Sequence, residues 1–128
     1  MTKGRKTPKL VRRRDREHAL PVRWSSEAEL DLREIVTYLL YESPEAARTV
    51  LVNLKNGAAA LQDFPRRGRV VPELKRIGIN DWREIIIRPY RLLYTVGAGG
   101  VEIDAVLDSR RDIEALLHGR IVNQFRWT

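Results

Sequence analysis

The stretch WREIIIRPYRLLYTV, residues 82–96, decides the fold. Two β-rich apolar runs meet at a Pro-containing turn, the pattern of a β-hairpin. Arg83, Arg88 and Arg91 interrupt it, and a hairpin that only had to be buried would not place charges there. Alternate residues of a strand face opposite ways. By that parity Trp82, Ile86, Tyr90, Leu92, Tyr94 and Val96 read as the core face, and Arg83, Ile85, Ile87, Arg91, Leu93 and Thr95 as the other. The turn fixes how the two strands combine. A two-residue turn of Arg88 and Pro89 puts Arg83 and Arg91 on opposite faces, whereas a three-residue turn through Tyr90 pairs Ile87 with Arg91 and sets both on an open face. The three-residue turn is favoured, because the other buries a guanidinium beneath the helices, which is costly unless the charge is paired.

Downstream, "GAGG" joins this hairpin to a third run at residues 101–107, completing a meander. Val101, Ile103, Ala105 and Leu107 are expected on its core face, and Glu102 and Asp104 on the open side. Two roles for the arginines stay open. Arg83 and Arg91 can form cross-strand ion pairs with Glu102 or Asp104, each contributing on the order of 0.2–1 kcal/mol. Alternatively, they converge with Arg110 and Arg111 of "VLDSRRD" on one concave surface, where guanidinium groups suit bidentate phosphate or carboxylate binding.

Upstream, "PVRW" is short enough for an edge strand. Ser26 and Glu29 are spaced as a capping box, and Ala28, Leu32, Ile35, Val36 and Leu39 follow at helical spacing. Ser43 as N-cap and Pro44 at the first helical position begin a second helix, whose stripe runs Ala47, Val50, Leu51, Leu54, Ala58, Leu61. So short a link forces an antiparallel helical hairpin. Gly57 within the second helix points to close packing against a neighbour. "FPRRGR" ends the helix at Pro65 and turns at Gly68. The fold class is therefore α+β: a short N-terminal strand and an antiparallel helical hairpin packed on a small antiparallel sheet. "RRDIEALLHGRI" reads as a terminal helical turn.

At 128 residues the chain has the length of one domain. The division is a basic tail at 1–20, a domain at 21–120 and a C-terminal tail at 121–128. Of the net charge of +7, residues 1–20 carry +6, from 8 Lys and Arg against 2 Asp and Glu. Such a segment is expected to be disordered in the free protein, as a solubilising extension or as a phosphate-binding arm. Residues 21–65 carry −3 and residues 66–128 carry +4, so the folded part has an acidic and a basic half. The absence of Cys excludes thiolate catalysis and a Cys-based zinc site, and two His leave little for a metal centre. No apolar run reaches the roughly 18–20 residues of a membrane span. The expectation is a cytoplasmic protein with neither metal nor cofactor.

From residue 22 to about 117 the chain resembles toxins of the RelE/ParE superfamily, the toxic half of bacterial type II toxin–antitoxin modules. The resemblance is carried by "RWSSEAELDLREIVTYL", "SPEAARTVLVNL", "LQDFPRRGRVVPEL", "WREIIIRPYRLLYTV" and "VEIDAVLDSRRDIEALL", in that order. It implies a cognate antitoxin as partner, operator DNA only through that antitoxin, and roles in growth arrest and plasmid stabilisation. It also implies one of three activities: ParE-like inhibition of DNA gyrase, RelE-like cleavage of messenger RNA on the ribosome, or a non-toxic role in autoregulation. For a nuclease, which would be metal-independent, Arg83, Arg91 and Arg111 take the positions of the catalytic basic residues. For target binding the candidates are Arg83, Arg88, Arg91, Asp108, Arg110 and Arg111. Two departures point away from the nuclease: Ile85 stands where such enzymes often have a second lysine, and Asp108 where many have His. Flanked by Arg110 and Arg111, Asp108 is expected to be an ion-pair partner and not a base. The long second helix and the "FPRRGR" turn are more ParE-like.

Overall fold

The computed structural model describes residues 20–125. In chain order the elements are β1 (Val22–Trp24), α1 (Ser26–Glu42), α2 (Pro44–Ala59) with a 3₁₀ turn (Ala60–Gln62), β2 (Arg69–Val70), α3 (Pro72–Lys75), β3 (Trp82–Ile87), β4 (Tyr90–Gly97), β5 (Gly100–Asp108) and α4 (Ile113–Phe125). The five strands form one sheet in the order β1-β5-β4-β3-β2, with β1 parallel to β5 and every other pair antiparallel. The α+β class and the helical hairpin are as the sequence indicated. Except for Leu20, the expected disorder of residues 1–20 lies outside the described residues. Among those described, no helix is long and apolar enough to cross a membrane.

The helical hairpin is set by two serines. Ser25, not Ser26, caps α1: its Oγ accepts from the Ala28 backbone N–H at 3.0 Å, and Ser26 is the first helical residue. The capping box expected of Ser26 and Glu29 does not form: with Ser25 as the cap the third helical position is Ala28, which has no carboxylate to reach back. Ser25→Ala is expected to lower stability by about 1 kcal/mol in urea unfolding, while Ser26→Ala changes little. Ser43 alone links the helices, closing α1 through its backbone N–H to Leu39 O and capping α2 through its Oγ. Gly57 lets α2 approach β3 closely, since a Cβ there would stand 2.5 Å from Cδ1 of Ile87.

The hairpin register differs from the one favoured above. The turn is the two-residue one, Arg88 and Pro89, pairing Ile87 with Tyr90 and Ile86 with Arg91. Ile85 and Tyr90, Leu92 and Tyr94 thus share one face, which packs with Val101, Ile103 and Val106 on Ala28, Leu32, Leu54, Ala58 and Leu61 of the helical layer. Trp82, Glu84 and Arg91 look the other way. That second face is not open. Trp82, Leu93, Ala105 and Leu107 are buried there beneath α3 and α4 by Val71, Leu74, Ile113 and Leu117.

A β-bulge redirects the end of β5: Leu93 pairs with Ala105 but Tyr94 with Ile103, leaving Asp104 as the extra residue. The insertion reverses parity, so Ala105 and Leu107 cover the α4 side and not the hairpin side, and Asp104 is buried. The segment read as a terminal turn is a 13-residue helix, and the boundary drawn between residues 120 and 121 falls inside it. Ile113, Leu116, Leu117 and Ile121 lie at helical spacing on its inner side. Arg120 fastens it: Nη2 donates to both carboxylate oxygens of Asp31 on α1 at 2.7 Å, and Nη1 donates to Asp104 O. Asp31 in turn accepts from the Val106 backbone N–H at 3.0 Å, where β5 has run past the end of β1.

Candidate functional site

Only some of the arginines of residues 83–111 come together. Ser109 donates both its backbone N–H and its Oγ–H to Pro89 O, at 2.8 and 2.7 Å, tying the tip of the β3–β4 hairpin to the end of β5. This places Arg88, Asp108, Arg110 and Arg111 at one end of the sheet. Beside them α1, the end of β5 and the start of α4 enclose a cleft of about 420 Å³. Asp31, Glu34 and Tyr38 line its α1 wall, Tyr90 its floor, and Arg110 and Arg111 its mouth.

Asp108 and Arg110 form a closed unit. The Arg110 Nε and Nη2 donate to the two carboxylate oxygens at 2.9 and 2.6 Å, and the Arg110 backbone N–H donates to Oδ1 at 2.9 Å. The Arg110 guanidinium therefore holds the Asp108 carboxyl below its ordinary range, so it is charged and a poor proton acceptor. Burial, and next the Asp108 charge, push the Tyr90 phenol up. Neither group is suited to act as a general base near neutrality. Arg88 and Arg111 are exposed, and among the described residues neither side chain reaches a carboxylate. Tyr38 adds an aromatic ring that is 65% exposed.

Arg83 and Arg91 lie elsewhere, and apart. Arg83 donates from Nη1 to Gly68 O at 2.7 Å and to Arg66 O at 3.4 Å, so it braces the loop before β2. Arg91 is only 6% exposed. Its Nε donates to Glu84 Oε1 at 2.6 Å, and its Nη1 and Nη2 take both oxygens of Glu73 at 2.9 and 2.7 Å. The second oxygen of Glu84 accepts from Arg69 Nε at 2.7 Å. Arg69, Glu84, Arg91 and Glu73 thus alternate in sign along one continuous network, buried at Glu84 and Arg91 and open to solvent at Arg69. The bidentate pair with Arg91 holds the Glu73 carboxyl down, and the same contact raises the Arg91 guanidinium.

Of the two roles left open for Arg83 and Arg91, the ion pairs with Glu102 or Asp104 do not form: Glu102 pairs with Arg23 at 3.1 Å, and Asp104 accepts from Thr95. Glu73 and Glu84 were missed as functional-site neighbours. Glu84, a carboxylate inside "WREIII", was the available signal. Among the described residues no three His, Asp or Glu side chains gather at metal-binding spacing.

Such a sheet, enclosed by a helical hairpin and a C-terminal helix with arginines at one end, defines a class. The fold is similar to a chain of the chromosomal ParDE toxin–antitoxin system from P. aeruginosa, with a TM-score of 0.58 over 71% of this chain and 97% of that one, at 19% identity. At that identity the likeness shows the fold alone. In sequence, the family described as the ParE toxin of the type II toxin–antitoxin system parDE matches residues 22–113, and the chain belongs to that family of RelE/ParE-superfamily toxins. Toxin RelE2 of Caulobacter vibrioides is 31% identical over 88 residues, spanning 69% of this chain and 93% of that protein.

Proposed function

We propose that the protein arrests growth by binding a macromolecular target, DNA gyrase by family likeness, without cleaving RNA, and that a cognate antitoxin in the cytoplasm silences it. The observation that supports this reading is the fate of Arg91. A nuclease of the RelE kind needs its basic residues to meet on one phosphate. Arg91 has three donors committed to two carboxylates, and withdrawing it would strand Glu84, which is 1% exposed. Arg83 faces the opposite side of the sheet. Arg88, Arg110, Arg111 and Tyr38 remain as a charged and aromatic rim suited to protein contacts.

An antitoxin segment that folds on the toxin would cover the exposed apolar side chains of the helical hairpin, among them Leu30, Leu40, Tyr41 and Val52. Operator DNA would then be met through the antitoxin, and loss of the antitoxin would release the toxin, the basis of plasmid stabilisation.

The test runs two assays on one preparation: gyrase supercoiling, and primer-extension mapping of messenger on stalled ribosomes. The expected result is supercoiling inhibition with no cut at the A-site codon. Substituting Arg110 and Arg111 by Ala should weaken inhibition about tenfold or more, because arginines that a partner desolvates at the centre of its contact are frequent hot spots. Cleavage at the A-site codon would overturn the proposal in favour of the ribosome-dependent nuclease.

A further inference from the structure

We propose that the cleft between α1, the end of β5 and α4 takes a tyrosine side chain of the target protein, while Arg111 pairs with a carboxylate beside that tyrosine in the target's sequence. This deepens the proposed function and rests on its reading of the target as a protein. A single buried hydroxyl carries the inference. Tyr90 lines the floor of the cleft and is 5% exposed. Among the described residues its Oη neither donates nor accepts a hydrogen bond. Tyr94, the other buried tyrosine of β4, does accept one, from the Gly68 N–H at 2.9 Å. A buried polar group left without a partner is rare and costs stability. Tyr38, Asp108 and Arg110, all of them lining residues, act on the Tyr90 phenol, so its polar end lies on the cleft side and not in the core beneath.

Most of the other polar groups of the lining are committed to one another. Asp31 is held by Arg120 and the Val106 N–H, and Asp108 by Arg110. Glu34 on α1 and Arg111 at the mouth remain: both are exposed, and among the described residues neither side chain has an ionic partner. Ile35, Leu39, Val106 and Leu116 supply apolar wall. A volume of about 420 Å³ lies in the range of ligand pockets and admits a ring.

The occupant therefore needs an apolar body, a hydrogen-bond acceptor at its tip and a negative charge on the Arg111 side. Tyrosine supplies the first two, since its ring lies against the wall and its phenolic oxygen accepts from the Tyr90 O–H. Burial raises the Tyr90 phenol, which keeps it a neutral donor at physiological pH. A phenylalanine leaves that donor unpaired. A nucleotide brings about two negative charges per terminal phosphate to a lining whose one unpaired guanidinium, among the described residues, is Arg111, and which also carries Glu34. An aromatic anchor seated in a pocket beside an arginine is also the usual composition of a binding hot spot.

The test follows two-dimensional NMR of the isotope-labelled full chain, titrated with Gly- and Ser-based peptides carrying a central Tyr-Glu, Phe-Glu, Ala-Glu or Tyr-Lys. The Tyr-Glu peptide should shift the amides around the cleft. Phe-Glu should bind roughly 2- to 12-fold more weakly, the worth of one hydrogen bond, and Ala-Glu should not saturate. In Tyr90→Phe the Tyr-Glu and Phe-Glu peptides should bind alike, and in Arg111→Ala the Tyr-Glu and Tyr-Lys peptides should bind alike. A Tyr90 that served packing alone would move all the peptides together. Without any ligand, Tyr90→Phe should raise the urea midpoint, because an unpartnered hydroxyl leaves the interior. The proposal is overturned if that midpoint falls, if no peptide perturbs the cleft, or if the preference for tyrosine survives in Tyr90→Phe. Peptides that behave as expected beside unimpaired gyrase supercoiling would sink the choice of target and leave the cleft reading standing. Supercoiling inhibition that Tyr90→Phe leaves at the parent's level would sink the cleft reading alone.

Discussion

Replacing Arg91 by Ala is expected to lower the free energy of unfolding by roughly 3–5 kcal/mol, measured by urea denaturation. The size follows from what stays behind: Glu84, within the sheet and 1% exposed, would keep only Arg69, and Glu73 would lose both its hydrogen bonds. A domain of this length is stable by only about 5–15 kcal/mol, so the variant should populate unfolded chains near body temperature. Removing both charges, with Arg91→Met and Glu84→Leu, should recover part of the loss, because no carboxylate is then left buried at position 84, while Glu73, nearer the surface, still loses its partner. If Arg91→Ala unfolds as the parent does, the network contributes nothing measurable. Any activity lost in this variant therefore reports folding before it reports function, and Arg110 and Arg111 are the better probes of the surface.

Asp104→Asn should do the opposite, and only at higher pH. Burial, and next the hydrogen bond with Glu102, push the Asp104 carboxyl up to about 7. Thr95 Oγ1 donates to it, Glu27 on α1 adds repulsion, and the facing Arg120 gives Nη1 to the Asp104 carbonyl and Nη2 to Asp31. A folded-state pKa above the ordinary value means the native protein holds a proton that the unfolded chain has released. Stability from this group is thus full below pH about 4, falls as pH rises to about 7, and is flat above. The neutral amide removes the penalty, so the variant should gain on the order of 2–4 kcal/mol at pH 8 and almost nothing at pH 4. Equal gains at both pH values would show that ionisation of Asp104 is not the cause.

The helical hairpin was legible because its signals are local: a 3.6-residue stripe, a Ser before each helix and Pro44 at the start of the second. The shift from Ser26 to Ser25 shows the limit, since adjacent serines offer the same cap. The sheet was harder. Parity within each strand was readable, but how β3 and β4 combine depends on one residue in the turn, and the choice made there was an argument against burying a guanidinium. An unpaired guanidinium would indeed be costly to bury. Glu84, on the neighbouring strand, was the one local sign of a partner for Arg91; Glu73, which takes its other two donors, lies outside the hairpin. The bulge at Asp104 was equally invisible, because one inserted residue leaves the alternation intact on either side of it. Of the candidate site, Arg88, Asp108, Arg110 and Arg111 do assemble; Arg83 and Arg91 do not join them, because the two-residue turn sends them to opposite faces.

The parallel strand β1 gives the domain an order of completion. Val22, Arg23 and Trp24 pair with Val101, Glu102 and Ile103, and Asp31 meets Arg120 across 89 positions. A ribosome delivers the first partner of each pair long before the second. While α1 and α2 can coil as soon as they emerge, β1 has no neighbour to join until β5 is out, and the cleft has no third wall until α4 follows. Contacts of such sequence separation form late and slowly. The surface that the completed domain presents at its cleft is therefore absent from every nascent chain that ends before α4, so a polypeptide broken off in mid-synthesis carries the helical hairpin without the cleft.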